Sequence, residues 1–173
     1  MKEQFLSQSN EWYTPEIYVN LARAVLGTID LDPASCEKAN QTVRAVRYFD
    51  GGADGLNQEW KAETVFCNPP YGKTGNHSNA GIFAAKMVEE YAKGNFRRGI
   101  LLVNASTAMT WFKPLFQFPI CFTDHRIRFI SGVTGEPEPR PTKDNCFVYF
   151  HDFVKYDYFP EVFNQIGNTV KRI

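Results

Sequence analysis

The chain has 173 residues, of which 43% are apolar, and its 19 Lys and Arg residues balance its 19 Asp and Glu residues. This length suits one sizeable core, so we expect a single domain over residues 1–173, and a net charge of zero taken alone argues against a nucleic-acid-binding protein. The sequence contains no apolar signal segment and no membrane span, and its four cysteines and three histidines are widely scattered, so we expect a cytoplasmic protein that binds no metal.

The first predicted element is a helix that begins at Thr14. Thr14 is a favourable N-cap, Pro15 suits the first helical position, and apolar residues at helical spacing continue to a stop at Gly27. A short strand over residues 29–32 follows and ends in an acidic residue. A second helix is then predicted to reach about Arg44.

The centre of the chain predicts two buried parallel strands. Residues 64–67 read Thr-Val-Phe-Cys and residues 99–103 read Gly-Ile-Leu-Leu-Val, as is typical of strands that are covered on both faces. Between them, Asn79 is predicted to cap a helix that ends at Gly94. We expect Trp60, just before the first of these strands, to belong to the core.

The last predicted elements are two aromatic-rich strands over residues 126–130 and 146–150, which flank a Gly- and Pro-rich loop. We interpret them as an antiparallel hairpin with an elongated tip. Because helices and strands alternate before it, the sequence predicts an α/β fold, with a mostly parallel sheet, helices on both faces and a terminal antiparallel hairpin. Ligands bind beyond the carboxyl ends of the strands in such sheets, and Asp32 and Asn68 stand at those positions.

The sequence Asn68-Pro69-Pro70-Tyr71 follows the first central strand and carries the most specific chemistry. Proline fixes its own φ and disfavours a helical conformation in the residue before it, so this stretch is held extended. The Asn68 side-chain oxygen and the Pro69 carbonyl then offer two acceptors, which match the two N–H bonds of an exocyclic amine on a planar base. The Tyr71 ring offers a face on which a base that has left a duplex can stack, a contact worth about 1–3 kcal/mol.

This motif resembles the fourth motif of the amino-group methyltransferases, and three other segments agree with it in order. Trp12-Tyr13-Thr14-Pro15 resembles the N-terminal cofactor motif of that family, Asp32-Pro33-Ala34-Ser35 its first motif, and Asp54-Gly55-Leu56 its third motif. Together they make the chain similar to the short phage-type DNA N6-adenine methyltransferases over nearly its full length. The resemblance implies a Rossmann-like methyltransferase fold in a phage or prophage protein that acts in a bacterial host cell.

The resemblance also implies S-adenosylmethionine as the methyl donor and a role for each matching position. The residues assigned to the cofactor are Thr14, Pro15, Asp30, Asp32, Pro33, Ala34, Asp54 and Leu56, and those assigned to catalysis are Asn68, Pro69, Pro70 and Tyr71. The first 70 residues hold six Lys and Arg residues against ten Asp and Glu residues, a bias that suits a cationic cofactor. The glycine-rich form of the first motif is absent, and the acid that binds the ribose is left open between Glu37 and Asp50.

The partner implied by the resemblance is DNA, and we expect it to be bound by loops, because the chain has no room for a separate recognition domain. Residues 73–80, with Lys73 and Asn76, are predicted to read neighbouring bases, and Arg126, Arg128, Arg140 and Lys143 are predicted to meet phosphates from a distal hairpin.

Alternatives stay open on the sequence alone. Another amine is a possible acceptor, on cytosine, RNA or a protein glutamine, and a non-catalytic binding module on a methyltransferase scaffold is the alternative class. Thr14 is equally well explained as a helix cap, Asp54 as an ordinary turn residue, and Arg126 and Arg128 as solvent-exposed side chains. The oligomeric state and the recognised sequence are left open.

Overall fold

The computed structural model describes residues 11–151 and 158–172, and these ranges contain eleven strands and four α-helices. The strands are β1 (Trp12–Tyr13), β2 (Leu31–Asp32), β3 (Arg47–Tyr48), β4 (Thr64–Cys67), β5 (Lys73–Thr74), β6 (His77–Ser78), β7 (Arg98–Asn104), β8 (Ile120–Thr123), β9 (Ile130–Ser131), β10 (Asn145–Phe150) and β11 (Gly167–Val170). The α-helices are α1 (Glu16–Leu26), α2 (Glu37–Val43), α3 (Asn79–Ala92) and α4 (Tyr158–Phe163), and two 3₁₀-helices cover Gly55–Asn57 and Thr110–Gln117. The first three helices and strands β4 and β7 confirm the corresponding predictions.

The main sheet has seven strands in the order β11-β8-β10-β7-β4-β2-β3. Strands β3, β2, β4 and β7 pair in parallel, whereas β10 pairs antiparallel with β7 and β8, and β11 pairs antiparallel with β8. The predicted α/β class is confirmed, but the sheet is mixed, so the prediction of a mostly parallel sheet is wrong. The cause is that β10 lies antiparallel between β7 and β8, and that β11 adds a further antiparallel pair at β8. No sequence pattern predicted β8 or β11.

The predicted hairpin between residues 126–130 and 146–150 is also wrong. Strand β10 lies between β7 and β8, and Ile130 belongs to β9, which pairs with β1. Residues 126–129 still alternate in burial, because Ile127 and Phe129 are buried while the two arginines are exposed. An alternating pattern therefore reports which side chains are buried, but it does not identify the strand that lies alongside.

Apolar layers cover both faces of the sheet, as predicted. On the face that includes Phe66, helices α1 and α4 pack on the strands, and on the face that includes Val65, helix α3 and the second 3₁₀-helix pack on them. Successive side chains of a strand point to opposite faces, which is why neighbours in β4 belong to different layers. Trp60 is 0% exposed, so its predicted place in the core is confirmed. No helix within residues 11–151 and 158–172 has the length and apolar character that crossing a membrane requires.

A buried carboxylate, Glu90, joins α3 to the segment before β4. Its Oε2 accepts hydrogen bonds from Trp60 N at 2.9 Å and Asn95 Nδ2 at 2.7 Å, and its Oε1 accepts one from Lys86 Nζ at 2.7 Å. Burial alone would raise the pKa of Glu90, but these hydrogen bonds outweigh burial and lower the pKa to about 2. The Trp60 indole donates in turn to Gly55 O at 2.8 Å, so the network reaches the first 3₁₀-helix.

One edge of the sheet gathers strand ends from distant parts of the chain. Strand β2 ends at Asp32, β4 at Cys67 and β7 at Asn104, and β10 begins at Asn145 opposite Asn104. We call this the carboxyl edge. The loops that follow β7 and β8 and the loop that precedes β10 therefore lie at the same edge as Asn68.

A two-stranded ribbon, formed by β1 and β9, reaches the carboxyl edge. Trp12 pairs with Ser131, and the ribbon continues with a hydrogen bond from Gly132 N to Glu11 O at 2.8 Å. A Cβ added to Gly132 would lie 2.8 Å from the Glu11 Cβ, so only glycine allows this close approach. The ribbon contacts the end of β4, because the Trp12 carbonyl accepts a hydrogen bond from Asn68.

Candidate functional site

Asn68 follows β4 directly, and two hydrogen bonds fix its amide. Its Nδ2 donates to the Trp12 carbonyl oxygen at 3.3 Å and to Thr14 Oγ1 at 3.1 Å. A carbonyl oxygen can only accept, so the amide nitrogen must face Trp12 and the amide oxygen must face away from it. Among the residues that the structure describes, none donates to Asn68 Oδ1, which is therefore available as an acceptor.

The predicted helix cap at Thr14 is wrong. Helix α1 begins at Glu16, and Pro15, whose side chain forms no hydrogen bond, occupies the N-cap. The helix therefore begins one residue later than predicted, and the Thr14 side chain is free for another partner. Thr14 is 5% exposed, and its hydroxyl accepts the hydrogen bond from Asn68.

A cavity of about 350 Å³ opens beside Asn68. Six of the residues assigned to the cofactor line it, namely Thr14, Asp32, Pro33, Ala34, Asp54 and Leu56. Glu11 and Asp50 line it as well, and neither Lys nor Arg occurs among its lining residues in the described part of the chain. Four carboxyl groups without a basic neighbour in the wall favour a cationic ligand. We call this space the acidic cavity.

Asp32 ends β2 as a buried residue in the wall of the acidic cavity, with 3% of its surface exposed. Its Oδ1 accepts a hydrogen bond from Ala34 N at 3.1 Å, which closes a tight turn through Pro33. Burial raises the pKa of Asp32 to about 7, and the hydrogen bond from Ala34 N offsets this only in part. The ionised form is a buried charge that a cation in the cavity would stabilise.

We expect the Asp32→Asn variant to be more stable than the parent above pH 7, by up to about 4 kcal/mol. The pKa of Asp32 in the folded state, about 7, lies above its ordinary value of 3.8. Between pH 3.8 and pH 7 the folded parent therefore binds more protons than the unfolded chain, and its stability falls as the pH rises through this range. Asparagine keeps an acceptor for Ala34 N and cannot ionise. Urea unfolding of both proteins from about pH 4 to pH 8 checks this, and a stability difference that does not grow with pH would contradict it.

The turn at residues 54–56 packs against the turn that follows β2. A Cβ on Gly55 would lie 2.0 Å from the Pro33 carbonyl oxygen, so this close approach requires glycine. Asp54 has a φ of 46°, in the left-handed region that is uncommon for residues other than glycine. This local geometry turns both Asp54 and Leu56 into the wall of the acidic cavity.

Of the two acids considered for the ribose, Asp50 lines the acidic cavity, whereas Glu37 is exposed at the start of α2. Asp50 follows β3, the neighbour of β2 in the sheet. Its Oδ1 accepts hydrogen bonds from Gly52 N at 3.0 Å and Ala53 N at 2.8 Å, so the turn itself holds one oxygen of the carboxylate in place.

Two residues assigned to the cofactor, Pro15 and Asp30, do not line the acidic cavity. The Asp30 carboxylate accepts hydrogen bonds from Thr64 N at 3.2 Å and Thr28 Oγ1 at 3.2 Å, and Asp30 N donates to Thr64 Oγ1 at 3.0 Å. Asp30 lies two residues before the strand end, a distance of about 7 Å along the chain. Its side chain therefore ties the start of β2 to β4 and does not reach the cavity.

A second cavity, of about 320 Å³, adjoins the acidic cavity at Asn68 and Pro70, which line both. Pro69 and Tyr71 also line it, so every residue of the Asn-Pro-Pro-Tyr sequence contributes to its wall. Its charged residues in the described part of the chain are Lys73 and Lys143, with no carboxylate. We call this space the basic cavity. The two adjoining cavities therefore have walls of opposite charge.

An aromatic pair forms part of the wall of the basic cavity. The rings of Tyr71 and Phe129 meet edge to face, with centroids 5.7 Å apart and an interplanar angle of 78°. Phe129 is only 3% exposed, so the core holds it in place. Burial raises the pKa of Tyr71, and the charge of Glu138 adds to the effect, so the phenol stays neutral at physiological pH. Phe129 was not among the predicted site residues, although its alternation with Ile127 indicated that it is buried.

Lys73 and Asn76 lie on a small hairpin formed by β5 and β6, directly after the Asn-Pro-Pro-Tyr sequence. Gly75 has a φ of 59°, which the tight turn at the tip requires. The Gly75-Asn76 pair at this tip is a recognised hairpin signal. Lys73 lines the basic cavity, and Asn76 is exposed at the tip.

The other residues predicted to contact DNA are exposed on loops at the carboxyl edge. Arg126 Nε donates to Asp144 Oδ1 at 3.0 Å, and Arg128 Nε donates to the Glu138 carbonyl at 2.8 Å. Arg140 is exposed, and Lys143 lines the basic cavity. The loop therefore returns to the cavity, and the expectation that Lys143 lies on a distal hairpin tip is wrong.

Within the described residues, no group of three or more His, Cys, Asp or Glu side chains is arranged to hold a metal ion. The sequence matches the family described as DNA N-6-adenine-methyltransferase (Dam) over residues 4–166, which is nearly the whole chain. A comparison with curated proteins finds no match. The family match covers all four motifs and both cavities described above, and the chain therefore belongs to the DNA N-6-adenine-methyltransferase (Dam) family.

Proposed function

We propose that this protein transfers a methyl group from S-adenosylmethionine to the N6 amine of an adenine that has rotated out of a DNA duplex. The observation that carries the proposal is the junction at Asn68 and Pro70, where the acidic cavity meets the basic cavity. A cationic methyl donor and a base from a polyanion need surroundings of opposite charge, and they must meet at one point. Membership in the family supports adenine as the acceptor.

The acidic cavity fits the proposed cofactor in size and in charge. Its volume of about 350 Å³ falls within the range of about 300–1,000 Å³ that is typical of small-molecule sites. The turn from Asp32 to Ala34 would hold the methionine and the ribose, with Asp50 as a further ribose ligand, and Leu56 would contact the adenine ring. When bound, S-adenosylmethionine supplies a methyl group that is already activated on a positively charged sulfur.

The Asn68 side chain and the Pro69 carbonyl are proposed to orient the target amine. The amine of adenine is a poor nucleophile because its lone pair is delocalised into the ring. Two acceptors that draw on its two N–H bonds favour the tetrahedral nitrogen in which the lone pair is free. Because Trp12 and Thr14 already fix the Asn68 amide, little freedom is lost when the amine binds. An amide cannot act as a base, so the proton leaves to solvent after transfer.

Tyr71 and Phe129 are proposed to receive the ring of the rotated base. Extruding a base costs a few kcal/mol of lost stacking and pairing, and stacking on an aromatic side chain returns about 1–3 kcal/mol. Both residues line the basic cavity, and in an edge-to-face pair one ring can still offer a face to a base. The pair therefore offsets part of the cost of extrusion.

We further infer that residues 1–173 form a single Rossmann-like methyltransferase domain. Five strands of the sheet, β3, β2, β4, β7 and β8, run in one direction, and β10 is inserted between β7 and β8 in the opposite direction. This arrangement supports the inference, as does the position of the acidic cavity at the carboxyl edge.

DNA is proposed to lie across the carboxyl edge, with the β5–β6 hairpin reading bases and the cations of the later loops meeting phosphates. We expect the salt dependence of DNA binding to weaken by about one unit of slope in each of Arg140→Ala and Lys143→Ala, because each removes one phosphate contact. Lys61→Ala is the matched control, since Lys61 precedes β4 and lies towards the opposite edge of the sheet. Unchanged slopes in both loop variants, together with altered sequence preference, would instead make this loop the reader of bases.

The proposed function is tested by incubating the protein with labelled S-adenosylmethionine and, in separate reactions, DNA duplexes, RNA and protein, then identifying the modified residue by mass spectrometry. N6-methyladenine is the expected product. A methylated cytosine, RNA base or glutamine would replace the proposed substrate. If titration calorimetry detects no binding of S-adenosylmethionine, the protein is a non-catalytic module on this scaffold.

A further inference from the structure

We propose that Asn104 selects the target base by donating an amide N–H to a ring nitrogen next to the amine that is methylated. The proposal rests on the proposed function, because it assigns a further residue to the same site. Asn104 ends β7, the strand beside β4, and it is half-buried in the wall of the basic cavity. None of the four motifs in the sequence includes it.

The orientation of the Asn104 amide follows from a chain of hydrogen bonds that starts at the backbone. Ile127 N–H donates to Asn145 Oδ1 at 3.1 Å, and since a backbone N–H can only donate, the atom that faces it must be the oxygen. The Asn145 amide nitrogen is thereby turned to Asn104, and it donates to Asn104 Oδ1 at 3.3 Å. Asn145 is only 2% exposed, so this arrangement is held inside the core.

The amide nitrogen of Asn104 is therefore left without an acceptor among residues 11–151 and 158–172. Asn68, at the end of β4, is the converse case, because its amide oxygen has no donor among the described residues. Both residues line the basic cavity. A free acceptor and a free donor at the ends of adjacent strands match the edge of adenine, where the 6-amine donates and the neighbouring ring nitrogen accepts.

This pairing requires a substrate base with a ring nitrogen that accepts a hydrogen bond from Asn104. A base with a C–H in place of the ring nitrogen would leave the Asn104 donor unpaired in a half-buried site, which costs transfer efficiency. A hydrogen bond of this kind discriminates between bases by about 10- to 100-fold. The two ring nitrogens that flank the amine, N1 and N7, are the candidates, whereas N3 lies on the far side of the ring.

The test measures kcat/KM for the parent and for Asn104→Ala on duplexes whose target is adenine, 1-deazaadenine, 7-deazaadenine or 3-deazaadenine. The parent is expected to lose about 10- to 100-fold on either the 1-deaza or the 7-deaza base. On adenine, the kcat/KM of Asn104→Ala should be lower than that of the parent by a similar factor. On the analogue to which the parent is sensitive, the kcat/KM of Asn104→Ala should be no lower than its value on adenine. The 3-deaza base serves as the control. The ratio of the kcat/KM values of the parent and the variant should be the same on this base as on adenine.

The activity and the urea midpoint of a second variant, Asn104→Asp, distinguish loss of the donor from loss of local structure. Asn104→Asp retains the acceptor for Asn145 and removes the donor, so it should show the same loss with an unchanged urea midpoint, even if Asn104→Ala disturbs the loop. The proposal is overturned if Asn104→Ala keeps the full sensitivity of the parent to all three analogues, or if Asn104→Asp methylates adenine as fast as the parent. A parent that transfers no methyl group to adenine would instead refute the proposed function.

Discussion

Replacing Asn68 with alanine is expected to lower the rate of methyl transfer by about 10²–10³-fold, the cost of removing one preorganised hydrogen bond to a reacting group. The variant loses Oδ1, the acceptor that the hydrogen bonds to Trp12 and Thr14 turn away from the ribbon. Affinity for S-adenosylmethionine should be nearly unchanged, because the carboxyl groups of the acidic cavity remain. Single-turnover kinetics and titration calorimetry measure the two quantities separately. Loss of both together would assign Asn68 a role in folding.

Thr14→Val provides a graded control for Asn68→Ala. Valine has nearly the same shape as threonine but removes one of the two acceptors that hold the Asn68 amide, while the Trp12 carbonyl remains. One such hydrogen bond is worth about 1 kcal/mol, so transfer should slow by about fivefold. A variant as active as the parent would show that Trp12 alone orients the amide.

The largest effect on stability is expected for Glu90→Ala, which should lower the free energy of unfolding by about 3–5 kcal/mol. Without the carboxylate, the buried Trp60 N–H loses its acceptor and Lys86 loses its counter-charge. Because the same network reaches Gly55 through the Trp60 indole, affinity for the cofactor should fall as well. Urea unfolding measures the stability change, which should appear as a lower midpoint with an unchanged slope.

Glu90→Gln is the matched variant, since the amide keeps one acceptor and loses the charge. The pKa of Glu90 in the folded state, about 2, lies below its ordinary value of 4.5, so the stabilisation is fully present above about pH 4.5 and is lost as the pH falls to 2. The stability difference between the parent and Glu90→Gln should therefore shrink over this range. A difference that is constant from pH 2 to pH 7 would contradict the hydrogen bonds assigned to the carboxylate.

The sequence could predict the parts of the fold that have local causes. Strand β4 and the Asn-Pro-Pro-Tyr sequence after it follow from an apolar run and from the stiffness of proline. The end of α3 near Gly94 likewise follows from residues that are close together in the chain. Much of the wall of the acidic cavity could also be predicted. The Asp32-Pro33-Ala34-Ser35 and Asp54-Gly55-Leu56 motifs are short contiguous segments, and both contribute residues to that wall.

The remaining features depend on contacts between distant segments. A two-residue strand such as β1 has no periodic pattern, and its partner β9 lies more than a hundred residues later in the chain. The Thr14 hydroxyl is a suitable cap by every local rule, and only the position of Asn68 explains why it is used otherwise. Asn104 was missed for the same reason, since its role depends on Asn145 and on the backbone of Ile127.

We expect the β1–β9 ribbon to determine when the protein becomes active during its synthesis. It joins Trp12 to Ser131, across more than a hundred residues, so the ribbon cannot form before Ser131 has been synthesised. A growing chain that has emerged only as far as β7 already carries the complete Asn-Pro-Pro-Tyr sequence but has no β9 to hold β1 against it. Such a fragment should therefore be inert towards DNA, and enzymatic competence should arise only once the ribosome has released the strands that complete the ribbon.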